Sequence, residues 1–203
     1  MTVRPMPRAG LTPDVVVATA ADLVDEIGYD GLTLARLADR LGVAAPSLYK
    51  HVDGLPAIRR GVAIIGVREL GDALRSAASG PPATDPGARL RSIAKAFRDY
   101  AGRHPGRYAA TVRAAAPGDA EHVAASDAAL EPVLSVLAEL GLTGGGAIDA
   151  ARGLRSLLHG FVVLEAAGGF GIPQDVDRSF ERSVDALLEG IAAFGSDRPI
   201  ESG

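Results

Sequence analysis

Residues 33–52 read TLARLADRLGVAAPSLYKHV, and this stretch decides the fold. Thr33 offers an N-cap hydroxyl to a short helix whose apolar residues recur at helical spacing, and Gly42 is a typical helix stop. Pro46 then lies in the first turn of another short helix, where its missing N–H breaks no hydrogen bond. Two short helices joined by a Gly-Val break predict a helix-turn-helix.

The second of these helices has the residue types that a DNA-reading helix needs. Its small N-terminal residues would enter the major groove, while flanking polar groups would hold phosphates. We expect Leu48 to lock the helix onto Leu37 and Leu41. The alternative is that Tyr49 and His51 only cover the core of a small helical bundle. The predicted DNA contacts are Thr33, Ala44, Ala45, Pro46, Ser47, Tyr49, Lys50 and His51.

Composition and charge predict an all-α, cytoplasmic protein with no membrane partner. Hydrophobic residues make up 47% of the 203 residues and aromatic ones only 4%, so alanine and leucine supply a core typical of packed helices. No cysteine occurs, which excludes disulfides, and no apolar run is long enough to span a membrane. The net charge of −4 argues against a nucleic-acid partner, but residues 31–60 and the nearby Arg4 and Arg8 are locally basic.

Helix start and stop signals divide the chain into a small head and a larger body. We predict about nine helices, with the later ones at 86–102, 105–115, 121–140, 145–167 and 177–194. The N-terminal domain has three helices, the third being the reading helix. The predicted organisation is a flexible basic arm at 1–11, a helix-turn-helix DNA-binding domain at 12–56, a helical ligand-binding and dimerisation domain at 57–195, and a disordered tail at 196–203.

The 33–52 stretch resembles the DNA-binding domain of the TetR family of transcriptional regulators. In that family a Thr-opened helix is followed by Gly-Val and by a short helix ending Leu-Tyr-x-His-Phe. Residues 152–171, RGLRSLLHGFVVLEAAGGFG, are similar to the C-terminal domain of a TetR subgroup that has a His-Gly pair. The resemblance implies operator DNA, a small-molecule effector and a second copy of the chain as partners. The matching head residues are Thr33, Gly42, Val43, Leu48, Tyr49 and His51, with Val52 replacing the usual Phe.

Two positions depart from the family pattern. Ala44 lies where Ser is common after Gly-Val, and Leu55 lies where Lys is common near the start of the fourth helix. Each departure removes a polar contact to DNA, so we expect sequence readout to rest more on DNA shape and half-site spacing. They also keep open an alternative function, a family member that binds a small ligand without specific DNA binding.

The body contains the candidate dimer and ligand residues. Two apolar stripes on the last two helices predict the dimer interface on the family's pattern, and their alternative role is packing within one subunit. His159 is either a core histidine or a group facing a mostly apolar ligand. The interface candidates are Leu154, Phe161, Val162, Phe180, Val184, Leu187, Leu188 and Ile191. The ligand-binding candidates are Phe97, Tyr100, Tyr108, Val112, Leu158 and His159.

Three glycines, Gly61, Gly66 and Gly71, fall inside the predicted fourth helix, where each weakens the helix relative to alanine. They serve either close packing against a neighbour or a softened lever between the ligand pocket and the head. The four scattered histidines have no metal-site spacing, and no glycine-rich phosphate loop follows a strand. We therefore expect no metal, no cofactor and no catalytic residues. The prediction is a homodimeric repressor released from a palindromic operator by a small, mostly apolar ligand.

Overall fold

The computed structural model describes residues 10–80 and 85–191, and the regular structure in these two ranges is entirely α-helical. The predicted all-α class is therefore confirmed. Arg4, Arg8 and the predicted tail at 196–203 lie outside the described residues. The helices of the described ranges are α1 (Pro13–Ile27), α2 (Leu34–Leu41), α3 (Ala45–Leu48), α4 (Gly54–Ser79), α5 (Pro86–Arg103), α6 (Pro105–Ala110), α7 (Ala120–Glu139), α8 (Gly144–Ala166) and α9 (Val176–Ile191).

The helix signals of the N-terminal segment work as predicted. The Thr12 hydroxyl accepts a hydrogen bond from the amide of Val15 at 3.2 Å, which caps α1. The Thr33 hydroxyl caps α2 in the same way by accepting from the amide of Arg36. Gly42 ends α2 in the left-handed region at φ 67°, which a glycine adopts without steric cost.

The first compact unit extends through Gly66 and also takes in His104–Ala116. It therefore holds α1, α2, α3, the first half of α4 and all of α6. Its core is a cluster of fully buried side chains that includes Val16, Leu37 and Leu48. The predicted domain limits at 12–56 and 57–195 follow the sequence rather than this packing, and they stay a prediction.

The second compact unit comprises Val67–Arg103 and the chain from Pro117 onward. In it α5 packs against α7, α8 and α9, and α8 packs against both α7 and α9. The buried faces of these helices are mainly aliphatic, with Phe97 and Tyr100 added on α5 and His122 on α7. Within the described residues, no single helix has the length and hydropathy to cross a membrane, and only the bent pair of α7 and α8 passes that test together.

The predicted helix at 105–115 is wrong at its C-terminal end, because α6 stops at Ala110. The hydroxyl of Thr111 donates to the carbonyl of Tyr108 at 2.8 Å. A threonine hydroxyl that bonds a nearby carbonyl in this way competes with the helical hydrogen-bond ladder. The β-branched Val112 follows directly and is also a poor helix former, and residues 111–115 lie in a turn and loop.

Close packing explains the three glycines of α4. A Cβ on Gly61 would lie 2.6 Å from a methyl carbon of Val17, and one on Gly71 would lie 2.9 Å from the Cα of Ala129. At Gly66 a Cβ would lie 2.8 Å from the carbonyl oxygen of Arg107. Each position is therefore a site of close approach, so the structure supports packing as the reason that glycine is needed there.

Candidate functional site

The reading head is α2, the turn after it and α3. Leu48 of α3 and Leu37 of α2 are both completely buried in one core cluster, while Leu41 and Val43 pack against its edge. The amide of Val43 donates to the carbonyl of Ala38 at 3.0 Å, which closes the turn between the helices. Hydrophobic burial and the glycine cap thus fix the angle at which α3 is presented.

Seven of the eight predicted DNA contacts lie between Ala44 and His51, and Thr33 is the outlier in sequence. The structure places Ala44 to His51 on α3 and its two flanking turns, and Thr33 at the N-terminus of α2. Tyr49 is 62% exposed, which opposes the alternative that this ring covers a core. His51 is half-buried and remains compatible with either role. Ala44, Pro46 and Lys50 are exposed, and Ala45 and Ser47 are half-buried.

Most of the positively charged side chains of the reading head already have a bonding partner within the protein. Arg40 pairs with Glu26, and its hydrogen bond holds the pKa of that carboxyl below its usual value. Arg36 donates to the carbonyl of Gly31 at 3.0 Å. Lys50 has no acidic partner among the described residues, so its full charge is available to a phosphate.

A polar contact joins α6 to α1 inside the first unit, and sequence reasoning missed it. Asp25 of α1 accepts from the amide of Arg107 at 2.8 Å, and its other oxygen lies 3.0 Å from Nδ1 of His104 and 3.2 Å from Nε of Arg107. The side chains of Asp25 and Arg107 are only 14% and 13% exposed. Residues about 80 positions apart offered no local pattern that could have revealed this pair.

The same contact depends on Gly106. A Cβ on this residue would lie 2.0 Å from the carbonyl oxygen of Val24, so the backbones of α6 and α1 touch. Any larger residue would separate Asp25 from the N-terminus of α6. Asp25 and Gly106 together therefore tie α6 to the helix that supports the reading head.

The candidate ligand residues do not fall into one compact unit. Phe97, Tyr100 and Leu158 are buried in the second unit, where His159 is half-buried. The Tyr100 hydroxyl there donates to Glu69 at 3.1 Å. The other two candidates belong to the first unit, in which Tyr108 is buried and Val112 is exposed. The six residues thus remain a prediction of a ligand site, and only four of them share a unit.

The candidate interface residues pack largely inside their own chain. Phe161 lies 4.7 Å from the ring of Phe170 and 5.0 Å from that of Phe180, measured between centroids. The exposed apolar side chains of α8 are those of Val163 and Leu164, which directly follow Val162 in sequence and are about half exposed. The prediction of an interface on α8 and α9 stays untested. Leu154, Val162, Phe180, Val184 and Ile191 are buried, and Phe161, Leu187 and Leu188 are half-buried.

Arg98 holds this part of the second unit together. Its guanidinium pairs with Glu165 and lies 2.7 Å from Asp177, and it stacks 4.8 Å from the ring centroid of Phe180. The two carboxylates raise the pKa of Arg98 above its ordinary value, and the hydrogen bond that Arg98 donates to Glu165 has the largest effect. Glu165 is therefore occupied by a structural pair rather than directed at a ligand.

Two family models match this chain. The model described as bacterial regulatory proteins of the tetR family covers residues 16–51, and the one described as a tetracyclin repressor-like C-terminal domain covers residues 90–187. The boundaries of the first model enclose most of α1 and all of α2 and α3. Those of the second enclose most of α5 through α9.

Similar proteins are regulators. An uncharacterised helix-turn-helix-type transcriptional regulator of Mycobacterium tuberculosis is 39% identical over 83% of this chain and 75% of its own length. A second such regulator, from Bacillus subtilis, is 37% identical over 91% of this chain and 95% of its own length. Among solved structures, a TetR variant from Acinetobacter baumannii in complex with minocycline has a TM-score of 0.69 at 24% identity, over 93% of this chain and all of that one.

Proposed function

This chain belongs to the tetR family of bacterial regulatory proteins and is a DNA-binding transcriptional regulator, not an enzyme, and on that premise we propose that it is a cytoplasmic, homodimeric repressor. A small, mostly apolar ligand releases it from a palindromic operator. The likeness of its C-terminal part to a tetracyclin repressor-like domain supports the repressor mode. The minocycline complex of a protein with the same fold supports a small-molecule effector.

One observation carries the DNA-binding part of the proposal. Leu48 is fully buried while the next two residues, Tyr49 and Lys50, are exposed, so α3 is locked on one side and polar on the other. A short helix held in this way can place its N-terminal residues on base edges and its flanking side chains on phosphates. A single head of this size binds DNA weakly, which favours a two-fold dimer whose α3 helices are about 34–36 Å apart.

We infer the release mechanism from the course of α4. α4 belongs to the first unit up to Gly66 and to the second from Val67, so one continuous helix takes part in both cores. A ligand that binds better to one arrangement of the second unit shifts the population of head positions. The repressor leaves the operator when the favoured head spacing no longer matches the half-sites.

The experiment that tests the function is a fluorescence anisotropy titration against the DNA upstream of the protein's own gene, with a scrambled duplex as control and two salt concentrations. We expect tight binding to the upstream duplex, with an affinity that falls steeply as salt increases. Lys50→Ala should weaken binding and lower the salt slope by about one. The matched control is Lys95→Ala, because Lys95 is a surface residue of the second unit and is paired with Asp99 at 2.7 Å.

A second function, ligand binding without specific DNA binding, is favoured by one feature of the head. Leu55 occupies the position of the family's usual lysine, and it packs against the core instead of offering a charge. Ala44 likewise offers no hydroxyl. Equal, weak binding to the upstream and scrambled duplexes, unchanged by Lys50→Ala, would favour this alternative and contradict the repressor proposal.

A further inference from the structure

The start of α4 lacks the charged side chain that the family pattern has there. Leu55 occupies that position and packs against the core of the first unit. Arg59 follows four residues later, about one helical turn, so its side chain leaves α4 on the same side as that of Leu55. It is also the first charged residue of α4. Any positive charge on this side of the helix start therefore comes from Arg59.

The guanidinium of Arg59 has hydrogen-bonding capacity that the protein does not use. None of its three nitrogens has a hydrogen-bond partner, and no carboxylate pairs with it, among the described residues. Its Nε is buried, whereas its two Nη nitrogens retain accessible surface. These two nitrogens carry most of the N–H donors of the side chain, and their planar arrangement suits the oxygens of a phosphate. An anion can therefore reach Arg59 through its Nη groups.

Tyr29 holds this guanidinium in place. The central carbon of the Arg59 guanidinium lies 5.4 Å from the centroid of the Tyr29 ring, within the range of a cation–π contact. The ring packs against the core of the first unit, so it is a fixed platform. Stacking uses the face of the guanidinium and leaves the N–H groups at its edge able to donate. A side chain held in this way loses less rotamer freedom when it binds an anion.

The platform lies in the turn that leads into α2. Tyr29 precedes Thr33 by four residues, and Thr33 is the N-cap of α2 and a predicted phosphate contact. Arg36 donates to the carbonyl of Gly31 at 3.0 Å and so brings a second guanidinium to the same turn. Asp30 is the acidic residue of the turn, and it pairs with neither arginine within the described part of the chain. The approach to the N-terminus of α2 is thus positively charged, which favours a phosphate there.

We propose that Arg59 binds a phosphate of the DNA backbone and supplies the positive charge that Leu55 does not. The Nη groups donate to the phosphate oxygens while Tyr29 holds the plane of the guanidinium. This inference rests on the proposed binding of the chain to an operator and adds a contact outside the helix-turn-helix. A phosphate contact carries no sequence information, so it strengthens binding to specific and to non-specific DNA alike.

The salt dependence of DNA binding tests this contact. The full-length protein is titrated by anisotropy against the upstream and the scrambled duplex over a series of salt concentrations. Arg59→Gln should weaken binding to both duplexes by about eightfold near 0.1 M salt and lower the salt slope by about one. Arg59→Lys keeps the charge and should keep the slope. The matched control is Arg152→Gln, at an exposed arginine of the second unit, which should bind as the wild type does.

A second substitution tests whether one charge replaces the other. Leu55→Lys, introduced into the Arg59→Gln protein, should restore the salt slope, because the two positions share one side of α4. Leu55 is half-buried, so a lysine there lowers the Tm. The slope is therefore the quantity compared, and thermal unfolding establishes that each variant is folded at the temperature of the titration.

Three outcomes would overturn the proposal. These are a wild-type salt slope in Arg59→Gln, an equal fall in Tm for Arg59→Gln and Arg59→Lys with no change in slope, and no recovery of the slope by Leu55→Lys. The first two would assign the stack on Tyr29 a purely structural role. A wild type that binds both duplexes equally refutes the operator, yet the slope on either duplex still measures the Arg59 contact. Operator preference with an unchanged slope in Arg59→Gln refutes only the contact.

Discussion

The head and the second compact unit are built from similar helices but are specified differently. In the first unit, α1 and α2 begin with the capping hydrogen bonds that the sequence predicts, whereas α3 begins at Ala44 with no side-chain cap. In the second unit, Thr143 precedes α8 in the same extended conformation as Thr33 precedes α2, yet its side chain makes no capping hydrogen bond, although Asp119 caps α7. A cap and a glycine stop therefore define the short α2, whereas the long α8 depends on its apolar face.

The largest expected difference in stability between the first and second units concerns their ion pairs. Asp25→Ala should destabilise the protein by about 3 kcal/mol, because the amide of Arg107 loses its acceptor while the Arg107 guanidinium keeps Asp22 and the carbonyl of Ala21. Arg68→Ala breaks the Arg68–Glu121 pair of the second unit, whose side chains are both about half exposed, and should cost less than about 1 kcal/mol. Urea unfolding at neutral pH measures both. Equal losses would show that the two regions do not differ in this respect.

The next largest effect on stability concerns the contact between the backbones of α6 and α1. Gly106→Ala should cost roughly 3 kcal/mol, the upper end of overpacking, since the new Cβ meets the backbone of Val24, which cannot rotate away. Gly102→Ala, in α5, meets nothing within 4 Å and should stabilise by about 0.5–1 kcal/mol through helix propensity. Thermal unfolding compares the two variants. A Gly106→Ala protein as stable as the wild type would mean that α6 is not held against α1.

Helix caps give a smaller effect that tests the comparison directly. Thr33→Ala should destabilise by about 1 kcal/mol, because the amide of Arg36 loses its acceptor. Thr143→Ala removes no capping bond and should be nearly neutral. If Thr33 also contacts a phosphate, as proposed, its variant binds DNA more weakly than the loss of stability explains, and anisotropy measures this. Similar destabilisation by both substitutions would contradict the difference in capping.

The smallest expected effect is on the way the stability of the protein depends on pH. Folding lowers the pKa of Glu26 through its hydrogen bond from Arg40. A carboxyl with a lowered folded pKa stabilises the fold above its unfolded pKa, near 4.3, and this stabilisation is lost as the pH falls through the folded value. Glu26→Gln should therefore slightly flatten the fall in stability below about pH 5, with little change at pH 7. A variant whose acid unfolding curve is superimposable on that of the wild type would show that the pair contributes nothing.

Helix positions could be predicted well because they depend on neighbouring residues. The start of α1 follows from the Thr12 hydroxyl, which caps an amide three residues away, and the end of α2 follows from the left-handed backbone of Gly42. The end of α6 could not be predicted with the same success, because Thr111 offered no more than a weak local preference. The end of the helix depends on the hydrogen bond that the Thr111 hydroxyl donates to the carbonyl of Tyr108, which only the folded structure shows.

The predicted site residues show the same contrast between what neighbouring residues reveal and what they do not. The predicted DNA contacts are almost contiguous in sequence, so a single motif predicts them together. The dimer candidates rest on periodicity and the family's pattern, and periodicity shows that a helix has an apolar face but not what covers that face. Val184 and Phe180 fit a dimer stripe by spacing, yet both are buried in their own chain.

By itself, the sequence determined the helical class, the helix-turn-helix and the family, because capping, periodicity and a contiguous motif act over a few residues. Only the tertiary structure decided which distant groups meet. It joined Asp25 to Arg107 and pressed Gly106 against Val24, and it buried the Nε2 of His122, which has no hydrogen-bond partner among the described residues. These outcomes depend on the positions of whole helices, which are set by the sum of many small packing contacts and are not encoded in any single stretch of the chain.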